Sequence, residues 1–356
     1  MEESATESYY ESSEAITYLH EGATPELFIE AWIAQNLDLY GGGLILVVGT
    51  VGNIMSIILL RRPRMKTTTT SLYLVALAFT DLSQVVVGQA TRHFVRSITG
   101  IDPPIYDTWY CKIWYYLIRV FNSYSNWVLA GVTVERCIAI LIPLKAKSLI
   151  TRKSAKLFLS SALLAVFVYY SHSVVSYLTG PTPNGIACKA NLENGFVSQV
   201  RPWSDWVLEA LLPGIIILAC NVIIIQRLLK ARAERAQTLT CTSDSKDQMQ
   251  SLVVMLVSIS VAYLVLTTPM HVNFVIAASF PGGYMFIERS DAIKRLIWSV
   301  SLFLHYTNHS INFFLYVLTG REFRLELKAL LGLRQAEKQK GDSNATSVTA
   351  VKDDAA

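Results

Sequence analysis

Asp81 stands inside the apolar run SLYLVALAFTDLSQVVVG. An ionisable side chain at the depth of a bilayer costs roughly 3 kcal/mol to insert, so it is a functional candidate by default. Ser125, Asn308 and Asn312 each offer an oxygen from another part of the chain. With Asp81 they would form an all-oxygen cluster that suits a hard cation such as sodium. A polar network that only ties helices together would use the same residues. Arg119 and Glu209 are two more charges in apolar surroundings. Facing each other, they would form an intramembrane pair of opposite sign; burying either alone is costly, so pairing or ligand contact is expected. Glu135 and Arg136 are adjacent opposite charges, which at a membrane surface can also be snorkelling anchors.

The elements that would hold these residues are apolar helices. Of the 356 residues, 52% are hydrophobic and 16% charged, well below the quarter or so that is charged in a soluble domain. Seven apolar stretches, 40–60, 70–94, 109–141, 155–178, 204–230, 250–280 and 294–319, each approach or exceed the ~20 residues that span a bilayer core. Backbone polar groups must be paired inside lipid, so these stretches are expected to be helices. The fold class is therefore an all-α membrane protein with seven spanning helices over 40–319. No internal repeat is visible.

Charge sets the expected orientation. The three connections and the tail on one side carry 21 Lys and Arg, those on the other 8. The basic side is cytoplasmic, which places the N-terminus outside and the C-terminus in the cytosol. Residues 1–39 are acidic, with no basic segment or early apolar core, and read as a disordered extracellular tail with no cleavable leader. Residues 320–333 place Phe323, Leu327, Leu330 and Leu331 on one helical face, as in an amphipathic helix on the inner leaflet. Residues 334–356 are polar and read as a disordered cytoplasmic tail. Of five cysteines, only Cys111 and Cys188 fall where extracellular loops are expected, which allows one disulfide. The net charge of +4 gives no reason to expect a nucleic-acid partner.

These features, taken in order, resemble the rhodopsin-like, or class A, G-protein-coupled receptors. The resemblance covers about residues 40–333. It rests on Gly52 and Asn53; on Leu77, Ala78 and Asp81; on Cys111, Ser125 and the Glu135-Arg136-Cys137 triplet; on Pro143, Pro213 and Pro269; and on Asn312 and Tyr316. It implies a Cys111–Cys188 link, an allosteric sodium ion at Asp81 with Ser125, Asn308 and Asn312, and coupling through Glu135, Arg136 and Tyr316. Several positions depart from the family pattern: Cys137 for tyrosine, Asn221 where the fifth helix often has tyrosine, Met249 for an acid, Thr267 for tryptophan and Phe313 for proline. The fourth stretch has no tryptophan. Without a proline at 313 the seventh helix is expected to run straighter near Asn312.

Ile118 stands where receptors for amines carry an aspartate, and Tyr306 where opsins carry their retinal lysine, which disfavours both ligand classes. The remaining cavity candidates are Tyr115, Arg119, Asn122, Glu209, His271, Asn273, His305 and Tyr306. Arg119 would take an acidic group or amidated terminus, and Glu209 a basic side chain. The loop carrying Cys188 would cover the mouth. The resemblance thus implies a plasma-membrane receptor, not an enzyme, for a short neuropeptide or peptide hormone, of an invertebrate type. Its partners would be the bilayer, an extracellular peptide and a heterotrimeric G protein, with arrestin left open. No cofactor is expected beyond the sodium ion. A chemosensory receptor for a non-peptide small molecule is the alternative, and a transporter or channel the alternative from another class. Tyr9 and Tyr10, among acids, resemble a sulfation context, but a plain solvated acidic tail is the favoured reading.

Overall fold

The structure is a computed structural model that describes residues 28–99, 107–182, 185–191, 194–238, 244–279 and 289–332. Tyr9, Tyr10, Cys241 and the C-terminal tail lie outside the described residues, as does the side chain of Met249. Among the described residues seven long helices form one bundle: α1 (Ile29–Leu60), α2 (69–99), α3 (Thr108–Leu141), α4 (Arg152–Tyr170), α5 (196–238), α6 (Asp244–Ser279) and α7 (289–319). A shorter α8 (Arg321–Leu330) follows. Five of the long helices are apolar enough along their length to cross a membrane; α3 and α7 carry the denser polar residues and pack in the middle and along one side of the bundle.

Helix starts are set by polar caps. The hydroxyl of Thr68 accepts from the Ser71 amide, the carboxylate of Asp107 accepts from Tyr110, and Thr151 forms a reciprocal box with Ser154. Each satisfies a donor that the first turn leaves without an intrahelical partner. The bundle is inverted in polarity relative to a soluble protein. Leu157 and Val265 are 71% and 64% exposed, while Asn53, Thr80, Asp81, Gln84 and Asn126 are buried. Such an apolar exterior is stable facing hydrocarbon.

The helices outrun the apolar stretches at several ends. α1 begins at Ile29 rather than 40, so it enters the segment expected to be tail. The extension docks on α7: Glu30 pairs with Arg289 at 2.8 Å and Asp38 accepts from the Ser299 hydroxyl at 3.2 Å. α5 likewise starts at Phe196, eight residues before the expected 204. Hydropathy marks only the part inside lipid, and a helix continues wherever polar partners hold it.

The largest correction concerns α7. Its two segments, Arg289–Ser310 and Asn312–Thr319, are separated at Ile311 although Phe313 replaces proline. The Phe314 amide bonds the Ile311 carbonyl over three residues at 3.0 Å, and the Asn53 amide side chain donates to the His309 carbonyl at 2.8 Å. A neighbouring side chain inserted into the ladder breaks the helix as a proline would.

Candidate functional site

Pro213 has no N–H, so the carbonyl four residues earlier, at Glu209, cannot be bonded in the normal helical way. The chain answers with a wide turn over Val207–Leu211 and with donors from α3. Asn126 Nδ2 donates to the Glu209 carbonyl at 2.8 Å, and Trp127 Nε1 donates to that of Leu208 at 3.1 Å. The turn carries the Glu209 side chain into the bundle. There Arg119 donates to Oε2 at 3.0 Å, Tyr170 donates to the same oxygen at 3.1 Å, and Asn122 donates to Oε1. Glu209 is 4% exposed and Arg119 17%. The Arg119 guanidinium also lies 5.2 Å from the ring of Phe274, a cation–π contact from α6. The pair is thus a bonded network of four helices, in which the arginine is the end that keeps some access.

The other cavity candidates divide. His271 and His305 are buried with ring centroids 6.5 Å apart, each with one ring nitrogen that has no hydrogen-bond partner among the described residues. Asn273 donates to Ser301 at 2.7 Å and ties α6 to α7. Tyr306 is buried against Ile45, Met270 and Leu302, and its hydroxyl lies so close over Gly88 that a Cβ there would have to displace the tyrosine. Tyr115 stacks on Tyr177 at 3.9 Å. Tyr177 begins β1 (Tyr177–Thr182), which pairs antiparallel with β2 (Gly185–Ala190). Cys188, opposite Thr179 in that hairpin, is bonded to Cys111 at the start of α3 with a Cα separation of 5.6 Å. Tyr115 therefore lies under the hairpin. An α5–α6 cavity of about 320 Å3 is lined by Trp206, Tyr263, Thr267 and His271 among others; Thr267, where the family pattern has tryptophan, leaves room there.

Asp81 is fully buried. Its Oδ1 accepts from Ser125 at 2.9 Å and lies 2.8 Å from His309 Nδ1; its Oδ2 accepts from Asn312 at 2.7 Å. Among the described residues Asn308 is not a partner of Asp81; its neighbour His309 takes the place expected for it. The set brought together is not all-oxygen, and an imidazole N–H pointing at the carboxylate does not fit a bound cation. Nor, among the described residues, do three His, Cys, Asp or Glu side chains group to hold a metal.

At the inner end, Arg136 contacts Glu135 at 2.7 Å, and the Thr69 hydroxyl of α2 donates to the same Glu135 oxygen at 2.5 Å. Tyr316 is not joined to this pair. It is fully buried, its ring 5.2 Å from that of Phe323 on α8, and its hydroxyl has no partner among the described residues. Sequence reasoning passed over Tyr170, Asn126, Phe274 and His309. His309 carried a signal, since it follows His305 by four residues and shares its face.

The sequence pattern of the seven-transmembrane receptors of the rhodopsin family matches residues 52–316. The chain is 26% identical to the growth hormone secretagogue receptor type 1 of Mus musculus over 308 residues, 83% of this chain and 80% of that receptor. It is 24% identical to galanin receptor 2a of Danio rerio over 290 residues, 81% and 76% of the two chains, and 25% identical to galanin receptor type 2 of Rattus norvegicus over 288 residues, 79% and 72%. With a seven-helix bundle, a hairpin tethered to α3 and the matched span covering most of the chain, this multi-pass membrane protein belongs to the rhodopsin family of seven-transmembrane receptors.

Proposed function

We propose that the chain is a plasma-membrane receptor for a short extracellular peptide and signals by activating a heterotrimeric G protein. The observation that carries the reading is the unequal access of the buried pair. Glu209 has three side-chain partners and Arg119 retains the exposure, so an incoming carboxylate or amidated terminus would meet the guanidinium and leave Glu209 as its anchor. This revises the expectation that Glu209 itself takes a basic side chain. The similar receptors named for a growth hormone secretagogue and for galanin favour the same class. The hairpin held over Tyr115 gives an extended peptide a strand edge to lie along.

The basic connections favour an N-terminus outside and a C-terminus in the cytosol. An agonist acts only by binding one packing of the helices better than another. The inner ends of α3 and α2, with Glu135, Arg136 and Thr69, would meet the G protein when that packing opens; arrestin is a further partner of the same face. The test is nucleotide exchange on G proteins in membranes that carry the receptor, across a library of amidated and free-acid peptides. Agonists should emerge that lose potency ten-fold or more in Arg119→Ala at equal surface density. Potency unchanged by Arg119→Ala would remove Arg119 from the site. A second reading, a non-peptide ligand in the 320 Å3 cavity, has the size of a small-molecule pocket in its favour; Thr267→Trp would abolish that response and spare a peptide one.

A further inference from the structure

We propose that the His309 imidazole stands in the place of a cation at Asp81, so that this receptor binds no sodium in its core and its stability is independent of sodium. The geometry carries the argument. In the ionised form that a cation would need, the carboxylate has only acceptors, and a ring nitrogen 2.8 Å from Oδ1 then has to present its hydrogen. Both charge states of the ring can supply that hydrogen. A cation set beside Oδ1 would face the positive end of the N–H bond, where a sodium site needs another oxygen. Two more acceptor positions of the carboxylate are also in use, by the Ser125 hydroxyl at 2.9 Å on Oδ1 and the Asn312 amide at 2.7 Å on Oδ2. Asn308, the residue that could have added an oxygen, is not among the partners of Asp81 within the described residues.

The ring has nowhere to withdraw. His309 is 0% exposed, and the edge of His305 packs against it with ring centroids 5.1 Å apart. Its main chain is pinned as well, because Asn53 Nδ2 donates both to its carbonyl at 2.8 Å and to that of Gly49 at 2.9 Å. Admitting an ion would mean breaking the Asp81–His309 bond and rotating a buried ring into packed side chains. The same buried hydrogen bonds already do what an ion would do there, which is to hold α2, α3 and α7 together through one carboxylate.

The experiment uses the purified full-length receptor without agonist, so its result is independent of the peptide reading. Thermal midpoints are measured in sodium, potassium and choline chloride at equal ionic strength. Screening is then constant, and only an ion that binds the folded state specifically raises the midpoint. The wild type is expected to show the same midpoint in all three, within about 1 °C. His309→Ser, which replaces the donor by a small hydroxyl oxygen, is expected to gain a sodium-specific rise of about 2 °C or more, removed again by Asp81→Asn in the same background. A sodium-specific rise in the wild type that Asp81→Asn abolishes overturns the proposal. A folded His309→Ser protein with no sodium response overturns the assignment of the exclusion to His309. Should that variant not fold, His309→Asn carries the same expectation, and the wild-type comparison decides by itself.

Discussion

Asn126 of α3 donates its side-chain amide to the main-chain carbonyl of Glu209 on α5, 2.8 Å away, and so makes the bond that Pro213 cannot. The proline, the wide turn and the asparagine form one device that aims Glu209 at Arg119. Asn126→Ala is expected to leave a buried carbonyl without a donor, at a cost of about 1–3 kcal/mol, read as a lower thermal midpoint. Pro213→Ala restores an N–H four residues after Glu209 and should recover part of that loss in the double variant. Additive losses in the two variants would separate the asparagine from the proline.

Arg119 and Glu209 differ from a surface ion pair in that Glu209 is held by three side chains inside the bundle. Glu209→Ala strands a guanidinium inside the bundle, and losses of about 3–5 kcal/mol follow from breaking one side of a buried pair. Surface expression should fall sharply. Arg119→Met combined with Glu209→Leu removes both charges at similar volume and should recover most of the expression without recovering an agonist response. Recovery of both would make the pair purely structural.

How much of this was legible in the sequence depended on what lipid enforces. The apolar cores of the helices, the buried Asp81 and the Cys111–Cys188 link stand out because lipid demands long apolar runs and tolerates few polar residues. The helix ends did not, since Asp38 and Glu30 look like tail until Ser299 and Arg289 are placed beside them. The wide turn at Val207–Leu211 depends on donors some eighty residues away in sequence. Choosing between Asn308 and His309 as the partner of Asp81 is a matter of about 100° of helix rotation. The break at Ile311, which local sequence gives no proline to announce, accompanies that choice.

α8 is held by a charge on its own buried face, since Glu326 stands three residues after Phe323 and four before Leu330. Glu326 is buried, with Arg62 at 2.7 Å and Arg64 at 3.7 Å from the first inner connection. Both arginines are partly exposed, so the pair is worth about 1 kcal/mol after screening. Glu326→Gln should therefore leave global stability nearly unchanged while loosening the end of the bundle. Hydrogen exchange over 321–330 should accelerate several-fold, and exchange elsewhere should not change. Uniform acceleration across the bundle would show that Glu326 matters to the whole fold rather than to α8.

The break in α7 makes a sharp statement about proline. Within a continuous helix a proline costs about 3 kcal/mol or more, through a lost hydrogen bond and a clash with the preceding turn. Phe313 is the second residue of the segment Asn312–Thr319, in a first turn where an N–H has no intrahelical partner and proline is tolerated. Its ring packs on Phe323 with centroids 5.8 Å apart, so replacing it removes packing whatever follows. Phe313→Pro should accordingly lower the thermal midpoint by about as much as Phe313→Ala, with the backbone adding little. Val317→Pro, four residues further into the same segment, should cost the full intrahelical amount and abolish surface expression. If Phe313→Pro proves as damaging as Val317→Pro, then α7 is continuous through Ile311 and the Asn53 bond to the His309 carbonyl does not replace the helical one.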